Sequence, residues 1–127
     1  MQWSVGEYIC HIADHERIWA ERFAGAGSDP SVTPVAPFDQ DRLAAARNYS
    51  RIPYASAMWS LHRSYQECNA TSDDALRNSA IFGHPERGEL TAVDAIRNVV
   101  HECHHHLWDI NRIIDATRTK TSLPKQS

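Results

Sequence analysis

Residues 99–114, VVHECHHHLWDINRII, concentrate side chains of the types that bind metal ions in proteins. They include four of the eight histidines of the chain, one cysteine and two acidic residues. If this segment is helical, two of its side chains can hold one ion only when they lie four residues apart on the same flank. Two pairs satisfy this condition, His101 with His105 and Glu102 with His106. Spacing alone does not decide which of the two pairs would bind a metal ion.

The apolar residues of the same helix indicate how it is oriented. They recur three and four residues apart, which predicts one continuous buried stripe: Val93, Ile96, Val100, Cys103, Leu107, Ile110 and Ile114. At about 100° per residue, Glu102 and His106 lie closer to this stripe than His101 and His105 do. A polar flank solvated by water is the alternative interpretation of such a histidine-rich helix.

An earlier helix offers a third ligand. His11 lies next to Ile12 on the apolar side of that helix, and His15 follows one turn later. Three nitrogen and oxygen ligands from two facing helices would leave one coordination position open, as in catalytic zinc-type sites. His15 is a candidate proton acceptor at the edge of the pocket, and a solvated surface histidine is the alternative.

The composition is that of one small domain. A chain of 127 residues with 42% hydrophobic residues can form a single core, which we place at residues 1–118 with a flexible tail at 119–127. A net charge of -3 gives no general attraction to nucleic acid or anionic membranes, and no apolar run approaches the roughly 18 residues of a membrane span. Three cysteines without C-x-x-C spacing argue against a disulfide framework and favour a cytoplasmic location.

Capping signals mark the two helices that carry the candidate ligands. The first helix is predicted from Ser4 to about Phe23, and its capping box pairs Ser4 with Glu7. The last helix is predicted from Thr91 to about Arg118, with Asp94 completing its box. Each helix therefore begins at a position set by its own side chains.

The middle of the chain supplies the remaining helices. A Gly- and Pro-rich crossover follows the first helix, and Asp39 is a candidate cap for a short helix within it. A third long helix is predicted from Pro53 to about Ala70. The segment FGHPERGE is predicted to be a connection, because no stretch alternates long enough to indicate a strand. The predicted class is all-α, with three principal helices and short helical turns.

Several segments resemble the DinB/YfiT-like superfamily. WSVGEYICHIADHERIWAERF is similar to its second helix, where W-S-x-x-E precedes H-x-x-D, and PFDQD and GHPERGELT are similar to later family segments. The resemblance spans residues 3–114. It implies an up-down bundle of a superfamily of metal-binding four-helix bundles, which includes bacillithiol and mycothiol S-transferases and mycothiol-dependent maleylpyruvate isomerases.

The resemblance also selects a ligand set. The family's last helix carries H-x-x-x-H or E-x-x-x-H, and its first ligand lies about eleven residues after Thr91, which is Glu102. The family pattern H-L-x-Q/D-I then begins at His106. The resemblance therefore implies that His11, Glu102 and His106 hold a divalent ion, zinc or nickel, with His101 and His105 as the rival pair.

The family implies two functions and an assembly. The first function is a metal-dependent enzyme, such as a thiol S-transferase that activates a low-molecular-weight thiol or water toward a small-molecule substrate. The second is a non-catalytic metal-binding bundle linked to stress. The resemblance begins at the family's second helix, so we expect an open apolar groove in place of the first. Either the sequence is truncated before this helix, or a second copy covers the groove; the predicted assembly is a homodimer.

Overall fold

A computed structural model describes residues 3–26 and 32–122, with side chains described as far as residue 119. In chain order the elements are α1 (Val5–Ala26), β1 (Thr33–Pro34), α2 (Gln40–Arg47), a 3-10 turn (Tyr49–Arg51), α3 (Tyr54–Arg77), β2 (Ile81–His84), β3 (Gly88–Thr91) and α4 (Ala92–Ser122). The three long helices α1, α3 and α4 dominate the fold. The predicted all-α class with three principal helices is therefore confirmed.

The predicted caps are present at the helix N-termini. The Glu7 N–H donates to Ser4 Oγ at 3.2 Å, and the Ser4 N–H donates back to Glu7 Oε1 at 3.4 Å. At the start of α4, the Asp94 N–H donates to Thr91 Oγ1 and the Thr91 N–H donates to Asp94 Oδ2, both at 3.2 Å. Asp39 caps α2 as predicted. These bonds satisfy helical N–H groups that otherwise have no intrahelical partner.

The absence of strands was a wrong prediction, because the chain forms a small three-stranded sheet. Strands β2 and β3 form an antiparallel hairpin from residues of the predicted connection FGHPERGE, and β1 pairs in parallel with β2. The hairpin is anchored by Phe82, which is fully buried against Trp19 and Phe23. Gly88 starts β3 with φ +75°, a conformation that favours glycine. Strands this short do not show alternation in the sequence.

Two helices continue past their predicted ends. Helix α3 ends at Arg77 rather than near Ala70, because no Gly or Pro interrupts the intervening residues. Helix α4 continues to Ser122, beyond the predicted end at Arg118 and into the predicted tail. The last part of that tail, 123–127, lies outside the described residues.

Helix α1 packs against both α3 and α4. Ile9 clusters with Ala57 of α3 and Ile110 of α4, whereas Phe23 clusters with the end of α3 and the start of α4. Helices α1 and α3 are therefore parallel to each other, and α4 is antiparallel to both. All residues from 8 to 16 of α1 are buried, although four of them are polar or charged. Buried polar side chains need partners, and His11 and His15 among these four lie at the candidate site.

The apolar stripe predicted for α4 is only partly buried. The buried side chains of α4 are Ala92, Ala95, Val99, His106, Asp109 and Ile110. Val93, Val100 and Leu107 of the predicted stripe are between 44% and 51% exposed. Helix α4 has two adjacent apolar faces, and the second borders a groove between α3 and α4. None of the described helices is long and apolar enough to cross a membrane.

Candidate metal centre

Two histidines from facing helices meet at the centre of the candidate site. His11 of α1 is 1% exposed and His106 of α4 is 9% exposed. Their Nε2 atoms are 3.0 Å apart, although the two residues are separated by most of the chain. The rings are nearly perpendicular, with centroids 4.5 Å apart. One imidazole N–H can donate to the other ring, or both lone pairs can bind one ion.

Two acidic side chains of α4 lie beside His106. Glu102 Oε2 is 3.5 Å from His106 Nε2, on the side of the ring that faces His11. Asp109 Oδ2 is 3.5 Å from His106 Nδ1, where a carboxylate can orient a metal-binding imidazole. Glu102 is partly exposed, whereas Asp109 is buried. The structure thus places the predicted set of His11, Glu102 and His106 in one place.

The rival histidines lie elsewhere. His101 and His105 are exposed, and no described contact joins either of them to His11. His105 Nε2 is 3.9 Å from Asp109 Oδ2 on the outer side of α4. The rotation of α4 therefore directs His106 toward His11 and leaves the rival pair at the surface.

The site fits a metal ion in part. Two nitrogens that bind one zinc-type ion at about 2.0–2.1 Å lie roughly 3 Å apart, which matches the His11–His106 separation. Among the described residues, no group of three or more His, Cys, Asp and Glu side chains is arranged to hold an ion. The Glu102 carboxylate is close and partly exposed, so a change of rotamer can bring it to the ion. Metal binding stays a prediction.

Burial keeps His11 uncharged. The pKa of His11 is lowered to about 4 by burial first, and by His106 and His15 second. The neutral imidazole has a free lone pair at physiological pH, which is the form that binds metal ions. Protons therefore compete little for this ligand near neutrality.

His15 is buried rather than solvated. It is 8% exposed, its ring centroid is 6.3 Å from that of His11, and its Nδ1 has no hydrogen-bond partner. Burial, His106 and Arg22 lower its pKa to about 4. A group with this pKa is neutral at pH 7 but is a weak proton acceptor.

Aromatic side chains enclose the histidine pair. The ring centroid of Trp3 is 5.0 Å from that of His11, and Trp3 also contacts Tyr8 and Tyr49. Tyr8 in turn lies 5.6 Å from the His106 ring. Trp3 belongs to the W-S-x-x-E motif, so this motif both caps α1 and covers the site. An apolar enclosure limits access of water and strengthens electrostatic interactions inside it.

Asp14 anchors the crossover segment to α1 beside the site. It is 1% exposed and accepts hydrogen bonds from Arg17 at 2.6 Å, from Arg47 at the end of α2, and from the Tyr49 hydroxyl. Burial raises the pKa of Asp14, but these three donors outweigh it and hold the pKa below its usual value. Tyr49 also contacts Trp3, so the network supports the aromatic enclosure. Sequence reasoning missed Arg47 and Tyr49, although the H-x-x-D motif marks Asp14.

We expect Asp14→Ala to destabilise the protein by about 3 kcal/mol, because it leaves a buried hydroxyl and a partly buried guanidinium without their acceptor. The measurement is urea unfolding at pH 7. The matched control is Asp74→Ala, which breaks the exposed Asp74–Arg77 pair of 2.5 Å and should cost less than about 1 kcal/mol. Equal losses in the two variants would contradict a structural role for the Asp14 network.

The three cysteines are unsuited to act as thiolates. None forms a disulfide, and Cys10 and Cys68 are buried. Burial and Glu16 raise the pKa of Cys103 to about 12 and that of Cys68 to about 11. The Cys103 thiol donates to Glu16 Oε1 at 3.4 Å. A thiol that stays protonated at neutral pH is a poor nucleophile.

The comparisons with known proteins identify the family of this bundle. The sequence matches the family model of the DinB superfamily over residues 1–110. No curated protein and no solved structure matches it. Because the family match covers most of the chain, the protein belongs to the DinB superfamily. The resemblance inferred from the helix motifs is confirmed.

Proposed function

We propose that the protein is a divalent-metal-dependent enzyme that acts on a small molecule, with His11, Glu102 and His106 as the metal ligands. The observation that carries this proposal is the buried contact between His11 and His106, whose Nε2 atoms are 3.0 Å apart. Two neutral imidazoles from facing helices are a suitable pair for zinc or nickel. Membership of the DinB superfamily adds the expectation of thiol chemistry.

The proposed roles follow from the positions of the side chains. A bound divalent ion would lower the pKa of a low-molecular-weight thiol or water held at its open position. His11 and His106 hold the ion from two helices, and Glu102 adds a negative charge at the partly exposed side of the site. Asp109 Oδ2 lies 3.5 Å from the unpaired His106 Nδ1, where it would orient the ring of a metal-bound His106, and the Trp3 ring packs against His11. Because the protein's own cysteines stay protonated, the proposed nucleophile is the bound low-molecular-weight thiol or water.

The proposal is tested by thiol transfer. Zinc- or nickel-loaded protein should conjugate bacillithiol, mycothiol or glutathione to an aromatic halide electrophile, and the rate should fall to background after chelation. Readdition of the metal should restore the rate. The control His105→Ala should retain it, because His105 lies on the outer side of α4. A metal-loaded protein without activity toward any thiol would contradict thiol transfer.

A second function, a non-catalytic metal-binding bundle, is favoured by one observation. His15 is buried near His11, and its Nδ1 has no partner, so it can complete a set of four protein ligands. Four protein ligands are typical of structural zinc sites. Loss of most of the metal in His15→Ala would support this function, whereas full retention would support an open, catalytic site.

The remaining proposals concern assembly and location. We propose a homodimer in the cytoplasm with no nucleic acid or membrane partner. The net charge of -3 and the absence of a membrane-spanning helix among the described residues support the last two points. The exposed apolar residues of α3 and α4 support the homodimer.

A further inference from the structure

A cavity lies beside the C-terminal half of α1, on the side of this helix that carries His11 and His15. It has a volume of about 420 Å³ and is open to solvent. Arg22 lies on this side because it follows His15 by seven residues, about two helical turns. We call it the Arg22 cavity. Its mostly apolar walls come from α1, β1 and the segment before α2, and include Ile18, Arg22, Pro34, Pro37 and Phe38.

Arg22 is a partly buried cation in the wall of this cavity. Burial lowers its pKa below the usual value, and the charge of the neighbouring Glu21 opposes this effect. Glu21 is exposed and also lines the cavity. The ion pairs found within residues 3–26 and 32–119 do not include Arg22. The buried part of this charge therefore lacks a bonded carboxylate within the described residues.

The guanidinium of Arg22 is held in place by two contacts. Its Nη2 donates to the Ala36 carbonyl oxygen at 2.6 Å, and its central carbon lies 4.5 Å from the centroid of the Trp19 ring. A guanidinium has five N–H donors in a planar fork that matches a carboxylate. The bond to Ala36 uses one of them. A ligand would therefore meet further donors on a side chain that is already ordered.

We propose that the Arg22 cavity binds the carboxylate of a small molecule whose apolar part lies against Ile18, Pro37 and Phe38. Apolar pockets with a few convergent polar groups are typical of small-molecule sites. Arg22 supplies a single positive charge, and Glu21 adds a negative charge nearby. A carboxylate with one charge fits this balance better than a phosphate with two, which Glu21 would repel more strongly.

The Arg22 cavity adjoins the candidate metal centre. The ring centroid of Phe38 is 6.2 Å from that of His15, which is 6.3 Å from that of His11. This inference rests on the proposed function and names its substrate class, a thiol or electrophile that carries a carboxylate. From the helical rise between Arg22 and the two histidines, the carboxylate would lie roughly 10–15 Å from the reacting group.

The test is a titration of metal-free, full-length protein with 3-phenylpropanoate, followed by NMR of the tryptophan indole N–H groups. The Trp19 signal should shift because Arg22 stacks on this ring, whereas Trp59, which is exposed on α3, should not respond. The neutral analogue 3-phenylpropanol should bind at least about 10-fold more weakly, because it cannot form charge-assisted hydrogen bonds with Arg22.

Two variants complete the test. Arg22→Gln should lower the affinity for 3-phenylpropanoate by about 10-fold or more and leave that for 3-phenylpropanol unchanged. The matched control is Arg63→Gln, which removes an exposed arginine of α3 that pairs with Glu67 at 3.1 Å and should bind both ligands as the wild type does. The comparison of acid and alcohol needs only the wild type, so it is decisive even where Arg22→Gln fails to fold.

Each other outcome overturns the proposal. Equal affinities for the acid and the alcohol, binding of neither, or unchanged affinity of folded Arg22→Gln would overturn the site at Arg22. Tighter binding of phenyl phosphate than of 3-phenylpropanoate would overturn the carboxylate as the ligand class. Because these measurements need neither metal nor thiol, failure of thiol transfer leaves them unaffected. A protein that transfers thiols but does not bind the acid would overturn this inference alone.

Discussion

His106→Ala should lose most of its bound metal, whereas His105→Ala should retain it. His106 contributes one of the two imidazole nitrogens that meet in the buried site, and its neighbour His105 has a side chain that is 58% exposed. Substitutions of groups that only support a ligand typically weaken metal binding by about 10–100-fold, so loss of the ligand itself should cost at least about 100-fold. The measurement is the metal content per chain after dialysis against equal concentrations of zinc and nickel.

The two neighbouring histidines make this a sharp comparison. They share the helix, the residue type and the change to alanine, and they differ in which side of α4 they occupy. Far-UV circular dichroism checks that both variants are folded. If His105→Ala loses the metal and His106→Ala keeps it, the ligand set is wrong and the literal H-x-x-x-H pair is correct. Glu102→Gln should weaken binding less than His106→Ala, because Glu102 is the more exposed group.

The helices and their starting points could be predicted because their signals are local. A capping box needs only two residues three positions apart, and both boxes form as expected. The hairpin after α3 could not be predicted in this way. Its strands are stabilised by the burial of Phe82 against α1, a contact between residues far apart in the sequence. Local patterns do not report such tertiary contacts.

The candidate site shows the same limit. Residue type and i, i+4 spacing identified two pairs on α4, but the apolar stripe could not show which of its sides faces α1. Because α4 has two adjacent apolar faces, Val100 is exposed while Val99 is buried. The contacts of Asp14 with Arg47 and Tyr49 join residues more than thirty positions apart. Only the H-x-x-D motif indicated that Asp14 was more than a surface acid.

The metal-free protein should lose stability steeply as the pH falls from about 6.5 to about 4. The pKa values of His11 and His15 are lowered to about 4 in the folded protein, chiefly by burial, from 6.5 in the unfolded chain. Below pH 6.5 the unfolded chain therefore binds protons that the folded protein does not. Each histidine should remove roughly 1.4 kcal/mol of unfolding free energy per pH unit in this range and almost nothing above it.

The full effect of each histidine is roughly 3 kcal/mol, reached near pH 4, where the folded protein begins to bind the same protons. Glu16 acts in the opposite direction, because burial raises its pKa above 4.5, so the total slope is smaller than that of the two histidines alone. Urea unfolding of chelated protein at pH 7, 6, 5 and 4 measures the slope. The His15→Gln variant should lose about half of it, since one of the two depressed groups is removed, whereas His62→Gln on the exposed side of α3 should leave it unchanged. A slope that is equal in wild type and His15→Gln would mean that His15 is not buried as a neutral group, and the acid sensitivity would then have to come from His11 alone.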